Sequence, residues 1–436
     1  MVTKIAATWL VLSLSGAPAQ GEPPTDAQID KAVKAVNDLV ENAKGGFDQA
    51  AARRLAGEQL ASIDLSEASL AQIVKLDESF LLTLAGKQSA ASARLVELAK
   101  DPGAQGAIAA AMRASFIEAW PDDTQGADEQ NRRRDEVIAI FRAALEHPGV
   151  AASFKTDSRR TVLVAIASLD PKTAAALLPS LLGLEPAIAP GMHHNTIGAL
   201  PQFVRCLADI EPVDADKRER IRAKVAGALD AALTDASISP KTQKWLERGL
   251  AYVNGAHARG LLVGYTAPSL DFLWSTLPGG PKSLAELKGK VVVLDFWATW
   301  CVPCVGSFPH TRELQQRYAD SDVVILGVTS VQGSFFNYQG PEDKNGKPID
   351  TKGKPETEFE LMPAFMKKMN MTWPVAFTKQ AVYNPDFGIS GIPWVAIIDC
   401  AGKVKNVGLH PADDAPRIPE LIDALLTEAG KPVPKK

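Results

Sequence analysis

The chain predicts a multidomain protein, an all-α amino-terminal domain followed by an α/β domain. Three observations predict it. From about Thr25 to Gly255, apolar residues recur at helical spacing, alanine is abundant and strand-like alternation is absent. Beyond Gly264, short apolar runs alternate with helical patterns, the arrangement of βα units. The chain has 436 residues, 46% apolar and 22% charged, which is enough to fill about two to three domain cores.

The elements follow in order. Lys4 precedes an apolar run from Ile5 to Leu14 and the small-residue site Ala17-Pro18-Ala19. This pattern reads as a secretory signal peptide over residues 1–19, with the protein periplasmic or otherwise exported. The run is shorter than the roughly 20 residues a membrane-spanning helix needs. Residues 20–258 then form the helical domain. Thr25-Asp26 starts its first helix, which carries Ile29, Val33, Val36 and Val40 at helical spacing. Further helices fall at Asp135–Leu145, Thr161–Leu169, Pro171–Leu182, Arg218–Leu229 and Lys241–Tyr252. Asp170-Pro171 and His147-Pro148-Gly149 separate them as turns. Such pairs suit an α-solenoid of the HEAT or TPR kind or an irregular bundle, and no strict repeat decides between them. His193-His194 reads as a polar loop, since adjacent helical residues face different ways.

Gly255–Gly264 reads as a linker, and residues 264–430 as the α/β domain. Its strands fall at Val291–Trp297, Val323–Val328, Trp394–Asp399 and Val404–Leu409. Its helices fall at Val302–Tyr318, Pro363–Met369 and Arg417–Glu428. Pro309 kinks the first of these. The polar segment Val331–Glu358 is either a solvated insertion or a lid carrying Phe335, Phe336 and Tyr338.

The strand Val291–Trp297 runs into Trp300-Cys301-Val302-Pro303-Cys304. Two cysteines with this spacing, at the start of a helix, form a reactive dithiol. The unpaired N–H groups and the dipole of the helix stabilise a thiolate at the first position. The second cysteine lies within reach to resolve a mixed disulfide. A zinc site needs two further close ligands, yet Cys206 and Cys400 stand alone. Cys206 reads as a small buried hydrophobe, and Cys400 as a turn thiol. Asp295 interrupts the apolar run Val291-Val292-Val293-Leu294. Burial there raises its pKa and suits it to accept a proton from Cys304. Pro393 lies just before an apolar strand, where periodicity alone gives an ordinary trans turn proline.

Five motifs in order resemble the thioredoxin superfamily, specifically extracytoplasmic TlpA/ResA-type thiol-disulfide oxidoreductases. They are Ala267-Pro268-Ser269-Leu270, Ser283–Lys290, Phe296–Cys304, Gly391-Ile392-Pro393 and Ala401–Val404. The resemblance covers about Gly264 to Leu426. It implies a thioredoxin-like domain, with Cys301 as nucleophile, Cys304 as resolving thiol and Asp295 as proton acceptor. It also implies a cis bond at Pro393 and a substrate surface of Trp300, Val302, Pro303, Ile392 and Pro393. Substrates would be protein thiols or disulfides, with electrons exchanged with a membrane or soluble redox partner and no bound cofactor. Asp295 and Ile392 match thioredoxin, which favours a reductant. Ser307 stands where many ResA-type proteins carry a glutamate, which weakens an assignment to apocytochrome c.

Two other readings remain. A peroxiredoxin-like peroxidase would need a Thr-x-x-Cys spacing that Thr299-Trp300-Cys301 lacks. Alternatively, the helical domain is a protein-binding scaffold and the dithiol domain an accessory. A net charge of −4 with mixed signs implies neither nucleic acid nor an anionic membrane as partner.

Overall fold

A computed structural model describes residues 23–41, 48–117, 126–189, 191–210, 214–340, 343 and 346–434. The leader-like run 1–19 lies outside them. The chain divides into two compact units, one ending at Ala187 and one beginning at Ile188.

The first unit is helical, with helices of uneven length from Asp26–Glu41 to Leu178–Gly183. Ile29, Val36, Leu60, Ile73 and Leu76 bury against one another as its core. The first helix begins where Thr25 and Gln28 exchange hydrogen bonds, an amino-terminal capping pattern. The Asp170 carboxylate accepts the amides of Lys172 and Thr173 and so starts helix Pro171–Ala176. The continuous helix expected from Pro171 to Leu182 is instead two short helices, divided at Leu177. Pro179 starts the second one: it has no N–H to continue the first.

The second unit begins with helices, notably Leu200–Ala208, Ala215–Leu233 and Pro240–Asn254. Cys206 is buried in the first of them, and burial pushes its thiol up to about 12, so it is an inert apolar filler. The glycine-rich segment 255–264 is packed rather than free: Ala258 and Leu262 are buried. Gly264 and Tyr265 hydrogen-bond to the strand at Val404.

A six-stranded mixed sheet follows. Its strands in chain order are β1 (Phe272–Ser275), β2 (Val291–Phe296), β3 (Val323–Ser330), β6 (Val375–Thr378), β7 (Trp394–Ile398) and β8 (Val404–Leu409). Two further strands, β4 (Ser334–Asn337) and β5 (Lys347–Asp350), pair only with each other. The spatial order is β1-β6-β3-β2-β7-β8. β2, β3 and β6 are parallel, while β1, β7 and β8 pair antiparallel to their neighbours. β2 is buried along its whole length, which is why it reads as an unbroken apolar run. Val291, Val293 and Trp297 face helices Val302–Arg317, Pro355–Lys368 and Arg417–Glu428. Val292, Leu294 and Phe296 face Leu262, Leu270 and Phe387 on the other side.

Three features depart from expectation. β1 and β6 were not foreseen, because four residues give too short a pattern to read. The helix expected from Pro363 starts at Pro355, leaving Pro363 inside it. The polar segment 331–358 holds the β4–β5 hairpin, with Phe335 and Tyr338 buried in the same core as the dithiol. It is therefore not a plain solvated insertion.

Gly327 of β3 shows how tightly this core closes. A Cβ there would meet Trp297 Nε1 at 2.9 Å and Trp373 Nε1 at 3.2 Å. Gly327→Ala should therefore displace two packed indoles and cost about 1–3 kcal/mol. A chemical denaturation curve should show a lower midpoint at unchanged slope; an unchanged midpoint would show that the indoles yield freely.

Candidate active site

Parallel pairing with β3 and antiparallel pairing with β7 fix β2 at the centre of the sheet, and the chain leaves its carboxyl end at Phe296. Five residues later, at Cys301, the dithiol begins. Cys301 is the residue that caps helix Val302–Arg317: its sulfur accepts the Cys304 N–H at 3.2 Å. Pro303 occupies the first turn, where no amide is missed. The Cys301 and Cys304 sulfurs are bonded, with Cα atoms 5.2 Å apart. Cys301 is 3% exposed and Cys304 1% exposed, so approach to either sulfur is narrow.

The Ile392–Pro393 peptide is cis. The loop that carries it brings the Ile392 carbonyl oxygen to 3.5 Å from Cys301 Sγ. The bonded sulfur has no proton, so this is a contact and not a hydrogen bond. Val302 and Pro303 are exposed on the helix start, while Trp300, Ile392 and Pro393 are half-buried. Cys301 thus lies beside the Ile392 backbone, and Trp300 and Ile392 both pack against the core cluster that holds Cys301.

Asp295 shares its face of β2 with Val293 and Trp297, both of which pack in the cluster that contains Cys304. It is 3% exposed. Burial pushes its carboxyl up to about 7, partly countered by the Thr311 hydroxyl, which donates to Oδ2 at 3.2 Å. Oδ1 has no protein partner. A cavity of about 200 Å³ reaches Asp295; its wall is largely apolar, with His310, Glu313 and Arg317 also lining it. The Ser307 hydroxyl is buried and donates back to the Cys304 carbonyl at 2.8 Å. Cys400 is half-buried, and burial raises its thiol pKa.

The sequence missed the residues that hold Thr299 and Trp300 in place beside Cys301. Trp300 Nε1 donates to Gln332 Oε1 at 3.1 Å. The Glu358 carboxylate is 1% exposed and accepts the amides of Gln332 and Gly333 and the Thr351 hydroxyl. The Phe336 amide donates to the Thr299 hydroxyl at 3.1 Å. The β4–β5 hairpin is thereby tied to the two residues that precede Cys301. On the other side the Tyr383 ring stacks on Trp300, with centroids 6.5 Å apart. A charged residue in a polar segment gives no signal of such burial; the aromatics Phe335, Phe336 and Tyr338 in that segment were the legible hint.

Residues 262–425 match the family described as Redoxin. Thioredoxin-like protein YneN of Bacillus subtilis is 32% identical over 149 residues, covering 34% of this chain and 72% of that protein. Thiol-disulfide oxidoreductase ResA of Geobacillus thermodenitrificans is 31% identical over 145 residues, covering 33% and 68%. Among solved structures, the thioredoxin domain of a thiol-disulfide oxidoreductase from Bacteroides vulgatus is 20% identical. It covers 37% of this chain and 99% of its own, with a TM-score of 0.27.

The Asp295 carboxyl gives a stability test on the oxidised protein. Its folded pKa of about 7 lies above the ordinary 3.8, so the folded state holds its proton more tightly than the unfolded chain. The stability linked to that proton is complete below about pH 4 and is lost as pH rises to about 7. The full difference is roughly 4 kcal/mol. Asp295→Asn should remove this slope and stabilise the protein more at pH 8 than at pH 4. Denaturant melts at both pH values measure it; an equal effect at each would mean the carboxyl titrates normally.

Proposed function

This chain belongs to the thioredoxin-like thiol-disulfide oxidoreductases, and on that premise we propose that its dithiol exchanges disulfides with protein substrates, as a reductant, outside the cytosol. Residues 264–430 are the redox domain and residues 20–258 the helical domain in this reading.

In the reduced enzyme the Cys301 thiolate attacks one sulfur of a substrate disulfide. The other substrate sulfur leaves as a thiol, and Cys301 is joined to the substrate in a mixed disulfide. Cys304 then attacks Cys301, closing the Cys301–Cys304 bond and releasing the second substrate thiol. The substrate gains two electrons and the dithiol loses two. A redox partner, membrane-embedded or soluble, resupplies them by the same exchange in reverse.

The observation that carries this reading is the position of Cys301 Sγ. It receives the Cys304 amide at the start of a helix and lies beside the Ile392 carbonyl. An N–H donor and the helix dipole favour the thiolate at Cys301. The Ile392 backbone offers an edge on which an extended substrate segment can align. Trp300, Val302, Pro303 and Pro393 form the surrounding surface.

Asp295 is the proton acceptor for Cys304 in this scheme. A carboxyl with a pKa of about 7 matches the operating pH, where general-base catalysis is most effective. The cavity at Asp295 is wide enough for water to return the proton to solvent. Direction and compartment rest on separate observations. The former rests on the match of Asp295 and Ile392 to thioredoxin; the latter rests on the leader-like run Ile5–Leu14 and on the persistence of disulfides in oxidising compartments.

Replacing the resolving thiol gives the direct check. Cys304→Ala should accumulate Cys301-linked substrate adducts, seen as higher-mass species on non-reducing gels that vanish with reductant. Adducts that survive Cys301→Ala in the same background would assign the attack to another cysteine.

A further inference from the structure

The loop between β6 and β7 touches the dithiol site at both ends. Tyr383 stacks on Trp300 at one end, and Ile392 meets Cys301 at the other. Its middle, Asn384–Ile389, is gripped from two directions. On the sheet side Phe387 and Ile389 are buried, and the Phe387 ring lies 5.3 Å from that of Phe296.

The other grip comes from the helices of the same compact unit. Arg205, on helix Leu200–Ala208, donates from Nη1 to the Gly388 carbonyl. Its guanidinium lies 4.1 Å above the Tyr252 ring at the end of helix Pro240–Asn254. The Tyr252 hydroxyl is 3.0 Å from His257 Nδ1, and His257 Nε2 is 3.2 Å from Asp209 Oδ1. With a proton on Nε2, the ring donates to Asp209 and accepts from the Tyr252 hydroxyl at Nδ1, which satisfies both contacts. The His257 amide donates to the Asp386 carbonyl, and the Ala256 amide to Asp386 Oδ1, each at 3.1 Å. Gly388 has φ +74°, and a Cβ there would lie 2.5 Å from the His257 ring. The loop is therefore shaped to the imidazole, with no room for a side chain between them.

We propose that helices Leu200–Ala208 and Pro240–Asn254 are a buttress that sets the position of the Ile392–Pro393 backbone for polypeptide substrates, with Arg205 and His257 as its positioning residues. The inference rests on the dithiol reading above and extends it: part of the helical region belongs to the substrate site. Hydrogen bonds and packing at the middle of the loop limit how far its ends can drift. An extended substrate chain that pairs with the Ile392 backbone is sensitive to that drift. A small disulfide that reaches Cys301 without pairing is not.

The test uses the full chain, reduced by dithiothreitol that is then removed, with insulin and dithiobis(nitrobenzoate) as the two disulfides. Arg205→Met keeps the stem against Tyr252 and removes the bond to Gly388; Arg205→Lys can restore a donor. His257→Ala opens the space against Gly388. Arg205→Met and His257→Ala should lower the second-order rate constant for insulin roughly tenfold while changing the small-disulfide rate less than twofold, and Arg205→Lys should recover part of the loss. A thermal melt of each variant identifies any that fail to fold, in which case Arg205→Lys against wild type decides by the same ratio. Unchanged insulin rates, or equal losses on both disulfides, would overturn the buttress. Wild-type protein that reduces neither disulfide would instead overturn the dithiol reading itself.

Discussion

The contact between the Cys301 sulfur and the Cys304 amide organises the carboxy-terminal unit. It requires a helix to begin at Val302, and hence a strand that ends just before it in a fixed place. β2 supplies that strand because it is buried on both faces, held by β3 on one side and β7 on the other. The same β7 pairing brings the Ile392–Pro393 loop, which immediately precedes β7, to the dithiol. Placement of Cys301, of the Ile392 backbone and of Asp295 thus follows from one central strand and its two neighbours.

Burial does two different things along that strand. For the valines and Leu294 it is the stabilising contribution of apolar surface removed from water. For Asp295 it is a cost, because the ionised carboxylate loses its hydration and finds one hydroxyl in exchange. In our account the cost persists because a carboxyl held near neutrality can take and return a proton at working pH. The orphaned Oδ1 and the adjoining cavity mark the same compromise in geometry.

The position of the dithiol and of Asp295 in the fold was legible because their pattern is local. Cys301 and Cys304 are three residues apart, and Asp295 stands out as the lone charge in an apolar run. Pro393 was different: its residue pattern alone gave a trans turn, and only the resemblance to known redoxins pointed to the cis bond. The hairpin and its anchors were not legible. Glu358 reaches Gln332 across 26 residues, and Arg205 reaches Gly388 across 183, so neither leaves a pattern in the sequence. Glu358 reads as a solvated charge until the folded chain surrounds it with three donors. The glycines of 255–264 likewise suggested a linker, although one of them, Gly255, is a glycine because the Pro385 carbonyl lies 2.5 Å from where its Cβ would be.

We propose that the helix start activates Cys301 and leaves Cys304 as the resolving thiol. The most direct measurement is the pH dependence of alkylation at each cysteine of the fully reduced protein, read by peptide mass spectrometry. Cys301 should react first and keep reacting well below the ordinary thiol pKa of about 8.5, while Cys304 should react slowly and only at higher pH. Faster alkylation of Cys304, or identical profiles for the two thiols, would contradict it.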